Sequence, residues 1–136
     1  MGVQVNWGIV PTWVRDGSRF IANASMPGQD EQNMSVWVVP ATGGPPRKLR
    51  DDANAASVSR DGAWVAFMTN LGPIGYREVW VMTPEGQQAR KIFDNQGDEN
   101  TDYYDGGEWS PDGQRLLYVQ GHQTGTQRQW TVQAVT

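Results

Sequence analysis

The sequence predicts an all-β fold of repeated antiparallel sheets, and three observations carry that expectation. An Asp-Gly pair recurs at 16–17, 61–62 and 112–113, with 45 and then 51 residues between successive aspartates (16 to 61, and 61 to 112). Each pair precedes a short apolar run, and a tryptophan-centred block follows it. Composition agrees: 16 glycines and 7 tryptophans among 136 residues, with 38% hydrophobic content, suit large aromatic side chains on short strands joined by tight turns.

The elements follow in order. Val3-Gln4-Val5 is an isolated strand-like stretch; Val5 lies 11 residues before Asp16, close to the 12 that separate Leu49 from Asp61. The first turn segments align without gaps as Trp13-Val14-Arg15-Asp16-Gly17, Val58-Ser59-Arg60-Asp61-Gly62 and Trp109-Ser110-Pro111-Asp112-Gly113. Proline fits the second position of a type I turn, aspartate caps nearby amides, and glycine accepts the left-handed position, so Asp16, Gly17, Asp61, Gly62, Asp112 and Gly113 read as turn formers. The runs Phe20-Ile21-Ala22, Val65-Ala66-Phe67 and Leu116-Leu117-Tyr118 come next.

Blocks centred on Trp37, Trp80 and Trp130 then align, and after the first two come a turn and a matching short strand, Arg47-Lys48-Leu49 and Arg90-Lys91-Ile92. A unit of about 40–50 residues with four strands is the signature of a β-propeller blade. The expected units are an outer strand at 3–5 and blades at 9–49, 55–92 and 104–136. Trp13, Trp37, Trp80, Trp109 and Trp130 are expected to pack between neighbouring blades, since each blade buries its faces against others.

These segments, above all Trp109-Ser110-Pro111-Asp112-Gly113, resemble the WD-like propeller repeats of TolB-type proteins, as also found in prolyl oligopeptidase-type and tricorn protease propellers. The resemblance spans nearly the whole chain and implies a bacterial, periplasmic scaffold that holds a partner. It is informative for fold and says little of function, because one fold hosts many activities.

Rings of this kind have four to eight blades, whereas three are expected here, the third without its outer strand. Val3–Val5 of another copy is expected to complete it. Two copies would give six blades and three would give nine, so a homodimer is expected over a trimer.

The charge balance narrows the function. Eleven Lys and Arg stand against 15 Asp and Glu, for a net charge of -4, so the basic footprint of a nucleic-acid binder is missing. No apolar run approaches the roughly 20 residues of a membrane span, and the first residues lack a signal-peptide profile. No cysteine and a single histidine exclude thiolate and His-rich metal centres within one chain.

No Gly-x-Ser-x-Gly elbow or phosphate-binding glycine loop is present. His122 falls in a polar segment expected to be a loop. The connection 94–105 is acidic, and Asp98, Glu99, Asp102 and Asp105 offer hard oxygen ligands that suit calcium, although not at EF-hand spacing. Tyr103 and Tyr104 amid those acids suit contact with a basic protein segment or a sugar. The second-to-third strand connections, expected at 25–35, 70–78 and 121–128, are polar and diverge where the strands repeat, as binding loops on a rigid scaffold do. Tyr76, Arg77 and His122 are their candidate contact residues. The expectation is a non-catalytic propeller that binds a protein, peptide or ligand and needs no cofactor. The alternative is a propeller portion of a larger enzyme, either a prolyl oligopeptidase-type peptidase or a metal-assisted carbohydrate-active protein.

Overall fold

The computed structural model describes residues 7–25, 28, 34–72 and 75–135, apart from the side chains of 7–11, 56, 104–106 and 135. Val3–Val5 lies outside the described residues. The first sheet has the order β1 (Trp7–Trp13), β2 (Arg19–Ser25), β3 (Ser35–Pro40), β4 (Arg47–Arg50). The same meander recurs in β5 (Ala53–Val58), β6 (Val65–Leu71), β7 (Tyr76–Met82) and β8 (Arg90–Asp94). It begins again in β9 (Thr101–Trp109), β10 (Leu116–Thr124) and β11 (Gln127–Val135). Every described pairing is antiparallel, and β9 joins β7 through the one pair Tyr76↔Tyr103.

The Asp-Gly turns explain why each first hairpin closes where it does. Gly17, Gly62 and Gly113 have φ of 69°, 77° and 70°, which a side chain resists, and their amides donate to the carbonyls of Val14, Ser59 and Ser110. In the second turn Asp61 Oδ1 accepts from Ser59 Oγ at 2.6 Å and from Ala63 N at 3.0 Å, while Ser59 Oγ accepts from Trp64 N at 2.9 Å. The third turn repeats this with Ser110, Asp112, Gln114 and Arg115. In the first, valine replaces the serine at 14, and Ser18 donates to Asp16 Oδ1 from both its amide and its hydroxyl. These bonds reach two to five residues, so local sequence is enough to set them.

Alternation along the strands sends side chains to two cores. Ile21, Val36 and Val38 of the first sheet meet Val65, Phe67 and Met82 across one interface. Ala66, Met68, Val79 and Val81, on the other face of β6 and β7, meet Tyr103, Leu116 and Tyr118. The middle repeat is therefore buried on both faces, with Val65, Ala66, Phe67 and Val79 at zero exposure.

The outer faces of the flanking repeats have no such neighbour among the described residues. Trp13, Phe20 and Val39 share one row on the first sheet, and Trp13 is 58% exposed. On the last hairpin, Leu117↔Ala134, Val119↔Val132 and Gly121↔Trp130 share the opposite face. Val132, which pairs with Val119 as Val79 pairs with Met68, is 69% exposed, whereas Val79 is fully buried.

Three expectations are corrected. Residues 121–128 do not form a long loop: β10 runs to Thr124, β11 starts at Gln127, and only Gly125 and Thr126 turn the chain. The connection after Asp94 is shorter than expected because β9 begins at Thr101. Trp130 is not the counterpart of Trp37 and Trp80. Those two pair with Ala22 and Phe67, but the tight turn moves Trp130 three residues past Tyr118, to Gly121. An odd shift sends a side chain to the other face of the sheet, and Trp130 is 50% exposed there.

Candidate functional site

The start of β7, the connection from Asp94 to Thr101 and the last residues of β10 meet at one end of the second and third repeats. Backbone bonds fix the meeting: Asn95 N donates to Arg77 O at 3.0 Å, and Gln123 N to Asn100 O at 2.8 Å. The connection caps itself. Asp94 Oδ1 accepts from Gln96 N at 3.0 Å, Asn95 Oδ1 from Gly97 N at 3.2 Å, and Asp98 Oδ1 from Asn100 N at 3.0 Å. Its carboxylates thus hold the chain in shape, as Asx turns do.

His122 stands on β10 opposite Thr101 and Gln129, which corrects its expected place in a loop; the polar run Gly121–Thr124 pairs with β11 throughout, and Gly121 and His122 pair with β9 as well. Its Nδ1 lies 2.8 Å from Thr101 Oγ1 and 3.4 Å from Asp98 Oδ2. Thr101 Oγ1 donates its one proton to Asp98 Oδ2 at 2.6 Å. The imidazole then donates from Nδ1 to that hydroxyl, and in its neutral form carries its lone pair on Nε2. Among the described residues no hydroxyl is bonded to Nε2. The Thr101 hydroxyl first, then the Asn100 amide and the nearby imidazole, hold the Asp98 carboxyl below its ordinary range.

Asp102 is nearly fully buried and lies 3.9 Å from Arg77 Nε. Gly72 makes room for the pair: a Cβ there would stand 2.7 Å from Asp102 Oδ1 and 2.9 Å from Arg77 Nε. Tyr103, expected as a contact for a partner, is corrected to a core residue. It is 3% exposed, packs edge-on against Tyr118 and donates its hydroxyl to Asp94 O at 2.7 Å. Burial, with Tyr118 and Asp94 nearby, pushes its pKa up to about 12. Tyr76 is half-buried, and burial raises its pKa too.

The candidate contacts Tyr76, Arg77 and His122 therefore gather at this end, and Tyr103 supports them from beneath. The side chains of Tyr104 and Asp105 lie outside the described residues. Among the described residues no three carboxylate or imidazole groups converge as a metal site: Asp98 faces Thr101, Asp102 faces Arg77, and Glu99 is exposed.

The tryptophans divide by place. Trp80 stacks on Phe67 at 6.2 Å, and Arg50 of the first sheet lies over both rings at 5.4 and 5.6 Å. Lys48 sits over Trp37 at 5.6 Å, and Trp109 packs against the second core. Trp13 packs edge-on against Phe20 at 5.5 Å. Sequence reading missed Asn23, Trp64 and Arg90. Arg90 aligns with Arg47 and was legible as a repeated position, whereas Asn23 has no counterpart of its kind in the other repeats.

No protein-family model matches the chain, and no curated protein matches it. Three solved structures are similar. TolB from Acinetobacter baumannii is 16% identical with a TM-score of 0.56, over 92% of this chain and 29% of that one. An oligogalacturonate lyase in complex with manganese is 12% identical with a TM-score of 0.56, over 92% and 34%. A prolyl endopeptidase is 16% identical with a TM-score of 0.55, over 90% and 20%. All three are β-propeller proteins, so the chain has a propeller-type all-β fold. It spans about a third or less of each of these structures.

Proposed function

We propose that the chain is a non-catalytic propeller scaffold of three blades that binds a protein or peptide, and that a second copy completes its ring. The observation that carries this reading is the contrast between repeats. Val79 is fully buried by the third repeat, but the equivalent Val132 is 69% exposed, and Trp13 on the opposite end of the chain is 58% exposed. Apolar faces of this kind favour association. Back-to-front stacking like that between the repeats is heterologous and closes on itself, giving six blades from two copies.

The gathered Tyr76, Arg77 and His122 supply the contact surface, with a cation, an imidazole acceptor and a phenol on rigid strands. The TolB-type repeats support a bacterial, periplasmic setting. A second reading, a portion of a larger propeller protein, is favoured by the 20–34% of each similar structure that the chain spans; the same exposed faces would then meet further blades of one polypeptide.

Charged substitutions test the assembly. Trp13→Glu and Val132→Glu each spoil one end face, so each variant alone is expected to sediment as a monomer. Mixed in equal amounts, they retain one intact pairing and should form a heterodimer. Variants that sediment like the unaltered chain would reject the proposed contact.

A further inference from the structure

Both sheets that form the seam between the first and second repeats belong to the chain itself, and Arg50 stands in that seam. Arg50 pairs with Val36, and its guanidinium lies 5.4 Å over the Trp80 ring and 5.6 Å over the Phe67 ring. Those rings stack at 6.2 Å from opposed positions on β6 and β7. Phe93 is the counterpart of Arg50, since it pairs with Val79 as Arg50 pairs with Val36. In the second seam the Phe93 ring lies 4.6 Å from that of Tyr118 and 6.4 Å from that of Tyr103. An apolar ring thus closes a seam at this position, and packing alone does not call for a cation there.

Arg50 has no acid of its own among the described residues. It forms no ion pair there, and it donates no side-chain hydrogen bond, unlike Arg19, Arg47 and Arg128. The acids around it are held by other groups. Asp51 takes Lys48 Nζ at 2.8 Å and accepts from Ser35 Oγ at 3.3 Å. Glu78 accepts from Trp80 Nε1 at 2.9 Å and from Thr69 Oγ1 at 2.8 Å, with Lys91 Nζ 3.6 Å away. The arginine is half-buried, and none of its nitrogens is sealed from solvent. A ligand can reach its donors.

We propose that Arg50 receives one carboxylate, carried on an acidic side chain of a bound peptide segment. The stacked rings cover a face of the planar group and leave its in-plane N–H donors free, and two parallel N–H groups match the two oxygens of a carboxylate. The rings also hold the side chain in place, so less rotamer freedom is lost on binding. A singly charged ligand suits the surroundings. Asp51, Asp52 and Glu78, in a chain of net charge -4, repel the second charge of a phosphate. The inference goes beyond the contact end described above and uses neither that end nor the assembly of copies.

The test uses the full chain labelled with nitrogen-15 and a blocked Gly-Glu-Gly peptide, followed by magnetic resonance at Arg50 Nε–H and at Trp80 Nε1–H beneath it. Saturable shifts of both signals are expected. Glutamine in place of the peptide's glutamate should weaken binding about tenfold, and so should Arg50→Gln, read at Trp80, since each removes one charged partner. Arg50→Lys keeps the charge but loses the fork and should fall between the parent and R50Q; it serves as the second variant if R50Q disturbs the circular dichroism. Acetate and inorganic phosphate should both bind more weakly than the peptide. No saturable shift at millimolar peptide, or equal responses to the glutamate and glutamine peptides, would overturn the proposal. Equal affinity for the parent and both variants would also overturn it. Phosphate binding more tightly than the peptide would overturn the choice of a carboxylate, and acetate binding as tightly would overturn its assignment to a peptide.

Discussion

The side-chain amide of Asn23 is bonded to both backbone polar groups of Ala55. Nδ2 donates to the Ala55 carbonyl at 2.8 Å, and Oδ1 accepts from the Ala55 amide at 2.7 Å. The register of β5 against β6 shifts between Ala55 and Ser57, and Asn23 meets Ala55 beside that break. One asparagine on β2 thereby serves as a short strand partner for the neighbouring sheet. Asn23→Leu removes both bonds and leaves two backbone groups unpaired. A loss of roughly 2–3 kcal/mol is expected in urea unfolding, because an unmet buried group costs about 1–3 kcal/mol. A loss below about 0.5 kcal/mol, within the range of ordinary surface changes, would show that the pair does not hold the sheets together.

The three turn glycines should resist alanine alike. All have positive φ, which costs a side chain about 1 kcal/mol, so Gly17→Ala, Gly62→Ala and Gly113→Ala should each lower stability by about that amount. A methyl on Gly62 would meet Arg15 only at ordinary contact distance, 3.4 Å, and one on Gly17 or Gly113 would meet nothing within 4 Å. Thermal unfolding of the three variants checks this, and a variant as stable as the parent would contradict it.

Tyr103 ties stability to alkaline pH. Burial lifts its pKa from 10.0 to about 12, so the folded state favours the neutral phenol. That contribution is fully present below pH 10 and is lost as pH rises through about 12. Tyr103→Phe should therefore flatten the alkaline decline, leaving the smaller parts due to Tyr76 and Tyr118, whose pKa values are also raised by burial. At neutral pH it should cost about 1 kcal/mol for the lost bond to Asp94. Unfolding midpoints of both proteins from neutral to alkaline pH measure this, and parallel curves would refute it.

Much of the fold is legible in the sequence because its signals are local. Asp61 and Ser59 bond within their own turn, and Phe67 and Trp80 sit on strands whose alternation is plain. The last hairpin is harder to read. Trp130 looks like Trp37 and Trp80, but a two-residue turn at Gly125 and Thr126 sets its register, and the one local signal for it is Gly125 at positive φ inside a long polar run. The contact end is only partly legible. Arg77 and His122 stand out as polar types, whereas the burial of Tyr103 and Asp102 depends on β9 pairing with β10, a long-range match hidden in an acidic run. Asn23 shows nothing locally, since its partner is 32 residues away.

Solution mass tests the proposed assembly most directly. Native mass spectrometry of the unaltered chain, at concentrations spanning the micromolar range, should give twice the 15.1 kDa of one copy. The exposed tryptophans Trp13 and Trp130 should become protected from quenchers as that species forms. A single copy that unfolds cooperatively at every concentration, with both tryptophans still open to quencher, would contradict the closed ring.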